Sequence, residues 1–252
     1  MEKEKVRSGI PGLDELLNGG FPKRGIYAVL GESGTGKSIF SAQFLHNGAV
    51  QYNEPGVYVV LEEDKEWFVG NMNLLGFDMD KLEKEGKVKL IPYIKSILGD
   101  VSSSLEAGLM SNDVNTLERV RQYLTVNSLF MEIQEECKKI NAKRVVIDPI
   151  SILTLLTESE VLARMQVISF FEGLRKLDVT VLVVVEEGMK YTEDIIFLCD
   201  GIIRLVLKEK NSLFERGLLI KKIRGTAHDT GLRPLKILND GMRVYPNEVM
   251  FR

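Results

Sequence analysis

Eight consecutive residues near the start of the chain constrain its fold more than any other feature: Gly31, Glu32, Ser33, Gly34, Thr35, Gly36, Lys37 and Ser38. A short apolar stretch with the length of a buried strand, residues 25–30, comes directly before them, and a helical pattern begins at residue 38. The glycines permit backbone conformations that aim successive N–H groups inward, and the first turn of the helix adds a partial positive charge. The segment therefore predicts a strand, a phosphate-binding loop and a helix, in that order.

This segment fits the pattern G-x-x-x-x-G-K-[ST] at every defined position. We expect Lys37 to contact the β and γ phosphates of a nucleotide and the Ser38 hydroxyl to ligate Mg²⁺. A glycine-rich turn that matches by chance is the alternative, and the flanking strand and helix argue against it. The residues predicted to surround the bound phosphates are Gly31, Ser33, Gly34, Thr35, Gly36, Lys37 and Ser38.

Short apolar runs alternate with helical patterns along most of the chain. The runs are continuous, which is typical of strands covered on both faces in a parallel sheet. We therefore predict an α/β fold with a central, mostly parallel sheet flanked by helices. After residue 201 strand follows strand, with turns near 208–211 and 228–231, so we expect antiparallel strands at the C-terminal edge. The predicted strands are residues 25–30, 57–61, 88–92, 144–147, 179–185 and 201–207, and the predicted helices are residues 38–51, 65–75, 117–139 and 161–176.

Length and composition favour a single domain over residues 1–252. Residues 96–115 are polar and weakly patterned, and we expect them to form a flexible surface insertion. The formal net charge of −3 gives no general attraction to nucleic acid or to an acidic membrane surface. Cys137 and Cys199 have no partners at metal-ligand spacing, so we expect both to be buried, with neither a disulfide nor a zinc site. No apolar run is long enough to span a membrane, and we expect a cytoplasmic protein.

One predicted strand, residues 144–147, ends in Asp148. An aspartate at the carboxyl end of a parallel strand faces the crevice in which such sheets bind ligands, and this is the pattern of a Walker B strand. We expect Asp148 to hold Mg²⁺ through water together with Ser38. A turn that Asp148 forms with Pro149 is the alternative.

Two more strands end in paired acids. Glu62 and Glu63 follow residues 57–61, and hydrolysis at a phosphate-binding loop needs a carboxylate that orients or deprotonates the attacking water. Either glutamate is a candidate for that role, although acids at a strand end can also serve only for solvation. Glu186 and Glu187 follow residues 179–185 and are weaker candidates for a shell that senses the γ phosphate.

Together these motifs resemble the RecA-type ATPases, and specifically the single-domain relatives of the clock protein KaiC. The resemblance extends from about residue 7 to residue 245. The segments that carry it are residues 8–17, 19–22, the phosphate-binding loop, the Glu62–Glu63 pair, residues 141–148 and the late stretch 222–228. Clock KaiC has two such domains in tandem and phosphorylates itself in the second, whereas this chain has one, so autokinase activity is not expected.

The resemblance implies that ATP lies between neighbouring subunits of a ring, usually a hexamer. Lys222 and Arg224 would then reach the γ phosphate of the neighbour's ATP as finger residues, and Thr226 and His228 would approach the same nucleotide. A solvated basic edge strand is the alternative for the lysines and arginine of this stretch. The resemblance also implies residues that border the adenine and ribose of the subunit's own nucleotide: Arg216, Ile237 and Asn239.

Three functions remain open at this point. The first is a Mg²⁺-dependent ATPase that forms a ring and signals to a protein partner. The second is a DNA recombination or repair ATPase, and the lack of Lys and Arg in residues 97–115 argues against it, since loops that bind DNA are basic. The third is a nucleotide-gated interaction module with negligible turnover. We expect Trp67 to pack in the core beneath the helix 65–75, with a place near a subunit interface as the alternative.

Overall fold

The computed structural model describes residues 4–93, 125–156, 159–210 and 213–250. The insertion expected at 96–115 and the first part of the helix predicted at 117–139 lie outside the described residues. The strands are β1 (Lys5–Val6), β2 (Phe21–Pro22), β3 (Ile26–Gly31), β4 (Gly56–Val60), β5 (Val88–Pro92), β6 (Arg144–Asp148), β7 (Thr180–Glu186), β8 (Gly201–Lys210), β9 (Leu213–Ile223), β10 (Arg233–Leu238) and β11 (Gly241–Val244). The α-helices are α1 (Leu13–Leu16), α2 (Lys37–Gln51), α3 (Lys65–Asn73), α4 (Met79–Lys84), α5 (Val126–Lys139), α6 (Glu160–Arg175) and α7 (Thr192–Leu198).

In the described part of the chain, nine strands form one sheet in the order β11-β10-β9-β8-β3-β7-β6-β4-β5. The six strands from β8 to β5 pair in parallel, and β9, β10 and β11 extend the sheet by antiparallel pairing. The predicted α/β fold and its antiparallel C-terminal edge are therefore confirmed. The central strands β3, β4 and β6 are buried along their whole length, which explains their continuous apolar sequence.

Each face of the sheet has its own hydrophobic core. On one face, Phe40 and Phe44 of α2 pack with Tyr58 of β4 and Phe68 of α3. On the other face, helices α5, α6 and α7 cover the alternate residues of the same strands, and Leu129, Phe170, Val57 and Val183 belong to that core. The sheet is thus a middle layer between helices, and the carboxyl ends of its parallel strands are brought together at one edge.

Strand β8 is longer than predicted. The antiparallel ladder pairs Gly201 with Ile223 and continues to Lys210 with Leu213, so residues 208–210, which were expected in a turn, belong to the strand. β9 consequently runs the full height of the sheet in the direction opposite to β3. This orientation determines where the residues of β9 lie relative to the phosphate-binding loop.

In the described residues, helix α5 begins at Val126 with a capping box. The Thr125 hydroxyl oxygen accepts a hydrogen bond from the Ser128 N–H, and the Ser128 hydroxyl oxygen accepts one from the Thr125 N–H. The prediction that Trp67 packs in the core is wrong, because its side chain is 69% exposed. Phe68 and the neighbouring Val69 occupy the buried side of α3 instead.

Both cysteines are buried, as predicted. Burial raises the pKa of the Cys137 thiol and of the Cys199 thiol to about 12, so neither thiol ionises near neutral pH. Among the described residues, no helix combines the length and the hydrophobicity that crossing a bilayer would require.

Candidate nucleotide-binding site

The phosphate-binding loop joins the carboxyl end of β3 to the first turn of α2. Gly34 and Gly36 adopt positive φ angles of 78° and 98°, in the region that favours glycine. Gly36 is the N-cap of α2 and offers no side-chain acceptor, so the first N–H groups of this fifteen-residue helix are left for an external anion. The buried Thr35 hydroxyl donates to the Glu32 carbonyl at 2.8 Å and holds the loop in shape from within.

The Lys37 ammonium lies over this loop, where it donates to the Glu32 carbonyl at 2.9 Å. Burial lowers the pKa of Lys37, while the nearby carboxylates of Glu186, Asp148 and Glu62 act in the opposite direction. The Lys37 ammonium therefore lies between the phosphate-binding loop and these three carboxylates. This is the position that the sequence pattern predicts for it.

A cleft of about 350 Å³ opens above the loop at the carboxyl ends of the parallel strands. Its position agrees with the expectation that parallel sheets bind ligands at that edge. Residues from six separate parts of the chain meet there. They include Ser33, Gly34, Gly36, Lys37, Ser38, Glu62, Asp148, Glu186, Arg216 and Ile237.

Asp148 is the last residue of β6 and lines this cleft. Its carboxylate accepts hydrogen bonds from the Tyr58 hydroxyl, at 2.6 Å, and from the Ser38 side chain. Burial raises the pKa of Asp148, and both hydrogen bonds oppose that shift. A hydroxyl and a carboxylate oxygen in contact are hard oxygen donors of the kind that Mg²⁺ prefers, and Mg²⁺ usually takes its other ligands from phosphates and water. The residues present therefore fit a Mg²⁺ ion held beside a bound nucleotide.

The two glutamates after β4 take different places. Glu62 is exposed and lines the cleft. Glu63 is partly buried outside the cleft lining, and burial together with Asp148 and Glu62 raises the pKa of its carboxyl group. Asp64, the third acid, caps α3 by accepting from the Glu66 and Trp67 N–H groups. Only Glu62 of the three faces the space above the phosphate-binding loop.

The acids after β7 also separate. Glu186 lines the cleft, whereas Glu187 forms an ion pair with Arg204 of β8 at 2.6 Å. Of this pair, therefore, Glu186 lies at the candidate site, and Glu187 is held by an ion pair with a neighbouring strand.

The residues expected near the base and ribose lie on the antiparallel edge. Arg216 of β9 donates to the Gly34 carbonyl at 3.2 Å, and the Ile237 side chain lies against Gly36. Both also line a second cavity, of about 520 Å³, which β9, β10 and residues 248–250 enclose. Asn239 is exposed in the turn between β10 and β11 and is not part of the lining of either cavity in the described residues.

The late stretch 222–228 lies at the other end of the sheet. The Lys222 ammonium donates to the Cys199 carbonyl at 2.7 Å, and Arg224 is 3.7 Å from Asp200. Thr226 accepts from the Lys5 ammonium at 3.2 Å, which ties this loop to the N-terminal segment. His228, which is partly buried, follows in the same loop. The structure therefore does not bring these four residues to the phosphate-binding loop of their own chain.

Residues 6–249 match the KaiC family of ATPases. The chain belongs to the KaiC family. Its relatives include a UPF0273 protein of Methanocaldococcus jannaschii, 36% identical over 98% of both chains, and KaiC of a Nostoc species, 30% identical over 96% of this chain and 44% of that protein. A crystal structure of a KaiC-like protein from Pyrococcus horikoshii matches with a TM-score of 0.80 at 34% identity, over 97% of this chain and 100% of that one. This KaiC-family chain is an ATP-binding protein of the RecA type.

Two features of the site were missed from the sequence. The partnership of Tyr58 with Asp148 depends on which strands pair, and a tyrosine inside an apolar run gave no separate signal. The second cavity beside Arg216 depends on how β9 and β10 meet the C-terminal residues of this KaiC-family fold.

Proposed function

We propose that the chain is a single-domain, Mg²⁺-dependent ATPase whose complete site forms between neighbouring copies in a homohexameric ring. Its nucleotide state would regulate a protein partner. The membership of the KaiC family supports ATP as the nucleotide. The hexamer and the role in signalling rest on the family resemblance.

One observation supports a site that is shared between neighbouring copies. Arg216 contacts the phosphate-binding loop of its own chain, while Lys222 lies near the other end of the same strand and Arg224 directly follows it. Eight residues of extended strand span about 27 Å, which is longer than any arginine side chain. A cation at that end can therefore serve only the nucleotide of another copy, as in enzymes whose finger arginine comes from a partner.

Each residue of the cleft has a distinct task in this proposal. The N–H groups of the loop and Lys37 bind the phosphates, and Glu62 orients the water that attacks the γ phosphate. Ser38 and Asp148 hold Mg²⁺, which neutralises charge on the phosphates when it is bound. Arg224 and Lys222 of the neighbour stabilise the charge that develops in the transition state, so turnover depends on assembly.

Mixing two inactive variants tests the shared site. Lys37→Ala removes phosphate binding but keeps Arg224, and Arg224→Ala does the reverse. We expect each to be inactive alone and an equal mixture to recover roughly a quarter of the wild-type ATPase activity, because random assembly pairs an intact loop with an intact arginine at about one site in four. Lys221→Ala, which removes an exposed cation beside Lys222, is the control and should remain active.

Other results would contradict the proposal. Turnover that is independent of protein concentration and unaffected by Arg224→Ala would exclude a shared site. Tight ATP binding without detectable turnover would favour a nucleotide-gated interaction module. Salt-dependent DNA binding that stimulates turnover would favour a recombination enzyme.

A further inference from the structure

Tyr58 is a buried polar side chain in an otherwise apolar strand. Its side chain is fully buried in β4, and its hydroxyl donates to Asp148 Oδ2 at 2.6 Å. Val60 lies directly opposite Asp148 in the parallel ladder, so Tyr58, two residues earlier, projects from the same face. The contact is thus fixed by the register of two central strands.

The ring of Tyr58 is also packed in the core. It packs against Phe68 of α3, with 4.6 Å between ring centroids. Helix α3 begins directly after Glu62, Glu63 and Asp64. A phenylalanine would fill the same space in this core, so packing alone does not account for the hydroxyl group. The hydroxyl has the Asp148 carboxylate as its partner.

Asp148 receives donors from two directions. Tyr58 donates from inside the core, and Ser38 donates from the beginning of α2. A carboxylate that accepts a hydrogen bond at one oxygen from a rigid donor cannot rotate freely, so its remaining acceptor positions keep a fixed direction. That direction is toward Ser38 and the cleft.

We propose that Tyr58 is a positioning residue for the divalent-cation site, whose hydroxyl fixes the Asp148 carboxylate so that it faces Ser38 and the cation. The inference rests on the Mg²⁺ dependence in the proposed function. Outer partners of metal ligands change metal affinity or activity by about 10- to 100-fold when they are removed. Tyr58 should therefore affect the binding of nucleotide with Mg²⁺ and leave binding without Mg²⁺ unchanged.

The test compares Tyr58→Phe with a matched control. Tyr27 is also buried, packs against a phenylalanine, and donates its hydroxyl to the Pro22 carbonyl at 2.5 Å, so Tyr27→Phe removes a comparable hydroxyl outside the cleft. ADP binding is measured by calorimetry across a Mg²⁺ titration and in EDTA, and Mn²⁺ binding to the ADP complex is measured by electron paramagnetic resonance. We expect Tyr58→Phe to need about tenfold more of either cation, with ADP affinity in EDTA within twofold of wild type. Tyr27→Phe should change neither quantity.

The outcomes separate this inference from the proposed function. A wild-type cation dependence in Tyr58→Phe would overturn the positioning role, and so would an equal loss of ADP affinity with and without Mg²⁺, which indicates a structural role alone. Wild-type protein that binds ADP equally well in Mg²⁺ and EDTA would contradict the Mg²⁺ dependence itself and this inference with it. If Tyr58→Phe is too unstable to assay, Tyr58→Met, which also lacks the donor, carries the same expectation.

Discussion

Arg216 of β9 donates to the Gly34 carbonyl of the phosphate-binding loop, whereas Arg224, which directly follows the other end of β9, lies beside Asp200. The full-length pairing of β9 with β8 enforces this separation. Two arginines eight residues apart in the sequence therefore have separate surroundings in the fold. In a ring of copies, one would serve the chain's own nucleotide and the other the neighbour's.

Substitution of the two arginines should have different effects. We expect Arg216→Ala to weaken ADP binding by about tenfold, roughly 1.4 kcal/mol, in protein dilute enough to be monomeric. Arg224→Ala should leave that binding unchanged and lower kcat by at least about 100-fold in concentrated protein. Fluorescent ADP titration and steady-state ATPase assays measure the two quantities. Loss of ADP affinity in dilute Arg224→Ala would place both arginines at one site and contradict the assignment.

Lys5 anchors the loop that carries Thr226. Its ammonium donates to the Leu17 and Asn18 carbonyls and to the Thr226 hydroxyl, at 3.2, 2.6 and 3.2 Å. Small displacements of groups around a reacting centre reduce rates steeply, so we expect Lys5→Ala to lower kcat by roughly 10- to 100-fold while ADP binding in dilute protein is unchanged.

The control for Lys5 is Lys23→Ala. Lys23 lies in the neighbouring turn and pairs with the exposed Glu4 at 2.8 Å, so its loss should leave kcat within twofold of wild type. Equal kcat values for the two variants would show that the Lys5 contacts do not support the loop that carries Thr226.

Much of the fold could be predicted because burial on both faces leaves a simple sequence signal. The run 57–61 became β4 at Gly56–Val60, and 88–92 became β5 without a shift. The site followed from the same logic. Loops and acids that come after parallel strands meet at one edge, so Ser38, Glu62 and Asp148 line one cleft.

Other features depend on packing that the sequence does not encode locally. Trp67, Phe68 and Val69 are adjacent apolar residues of α3, and the sequence alone does not show which of them faces the core. The packing of the helix against the sheet leaves Trp67 exposed and Phe68 buried. The distinction between Glu62 and Glu63 depends on the backbone direction after β4. Both cases require tertiary contacts, which periodicity alone cannot supply.

Arg144 should matter for stability far more than an exposed arginine. Its side chain is fully buried and donates to the Glu54 carboxylate, the Phe44 carbonyl and the Arg7 carbonyl at 2.7, 2.7 and 2.9 Å. Arg144→Met would leave these acceptors without their donor, and we expect a loss of about 3–5 kcal/mol in the free energy of unfolding measured in urea.

A surface pair provides the comparison for Arg144. Arg164, whose side chain is 64% exposed, pairs with Asp194 at 2.7 Å. Its replacement by alanine should cost less than about 1 kcal/mol. If the two substitutions cost the same, the buried network around Arg144 would contribute no more to stability than a surface ion pair.

Glu63 should make the nucleotide-free protein less stable as the pH rises. Burial, Asp148 and Glu62 raise the pKa of its carboxyl above the usual 4.5, so the folded state binds this proton more tightly than the unfolded state does. The free energy of unfolding then falls as the pH increases from about 4.5 through the raised pKa. Burial raises the pKa of Asp148 as well, which adds a dependence of the same sign.

Glu63→Gln removes the proton exchange at this site, so it should raise Tm at pH 8 relative to wild type and flatten the dependence of Tm on pH. Glu135→Gln is a control of opposite sign, because the hydrogen bond from Lys139 lowers the pKa of Glu135 and its carboxylate favours the folded state at high pH. That variant should not gain stability at pH 8. Thermal unfolding from pH 4 to pH 8 without nucleotide measures both. A lower Tm for Glu63→Gln at pH 8 would mean that the charged carboxylate of Glu63 stabilises the fold, contrary to the raised pKa.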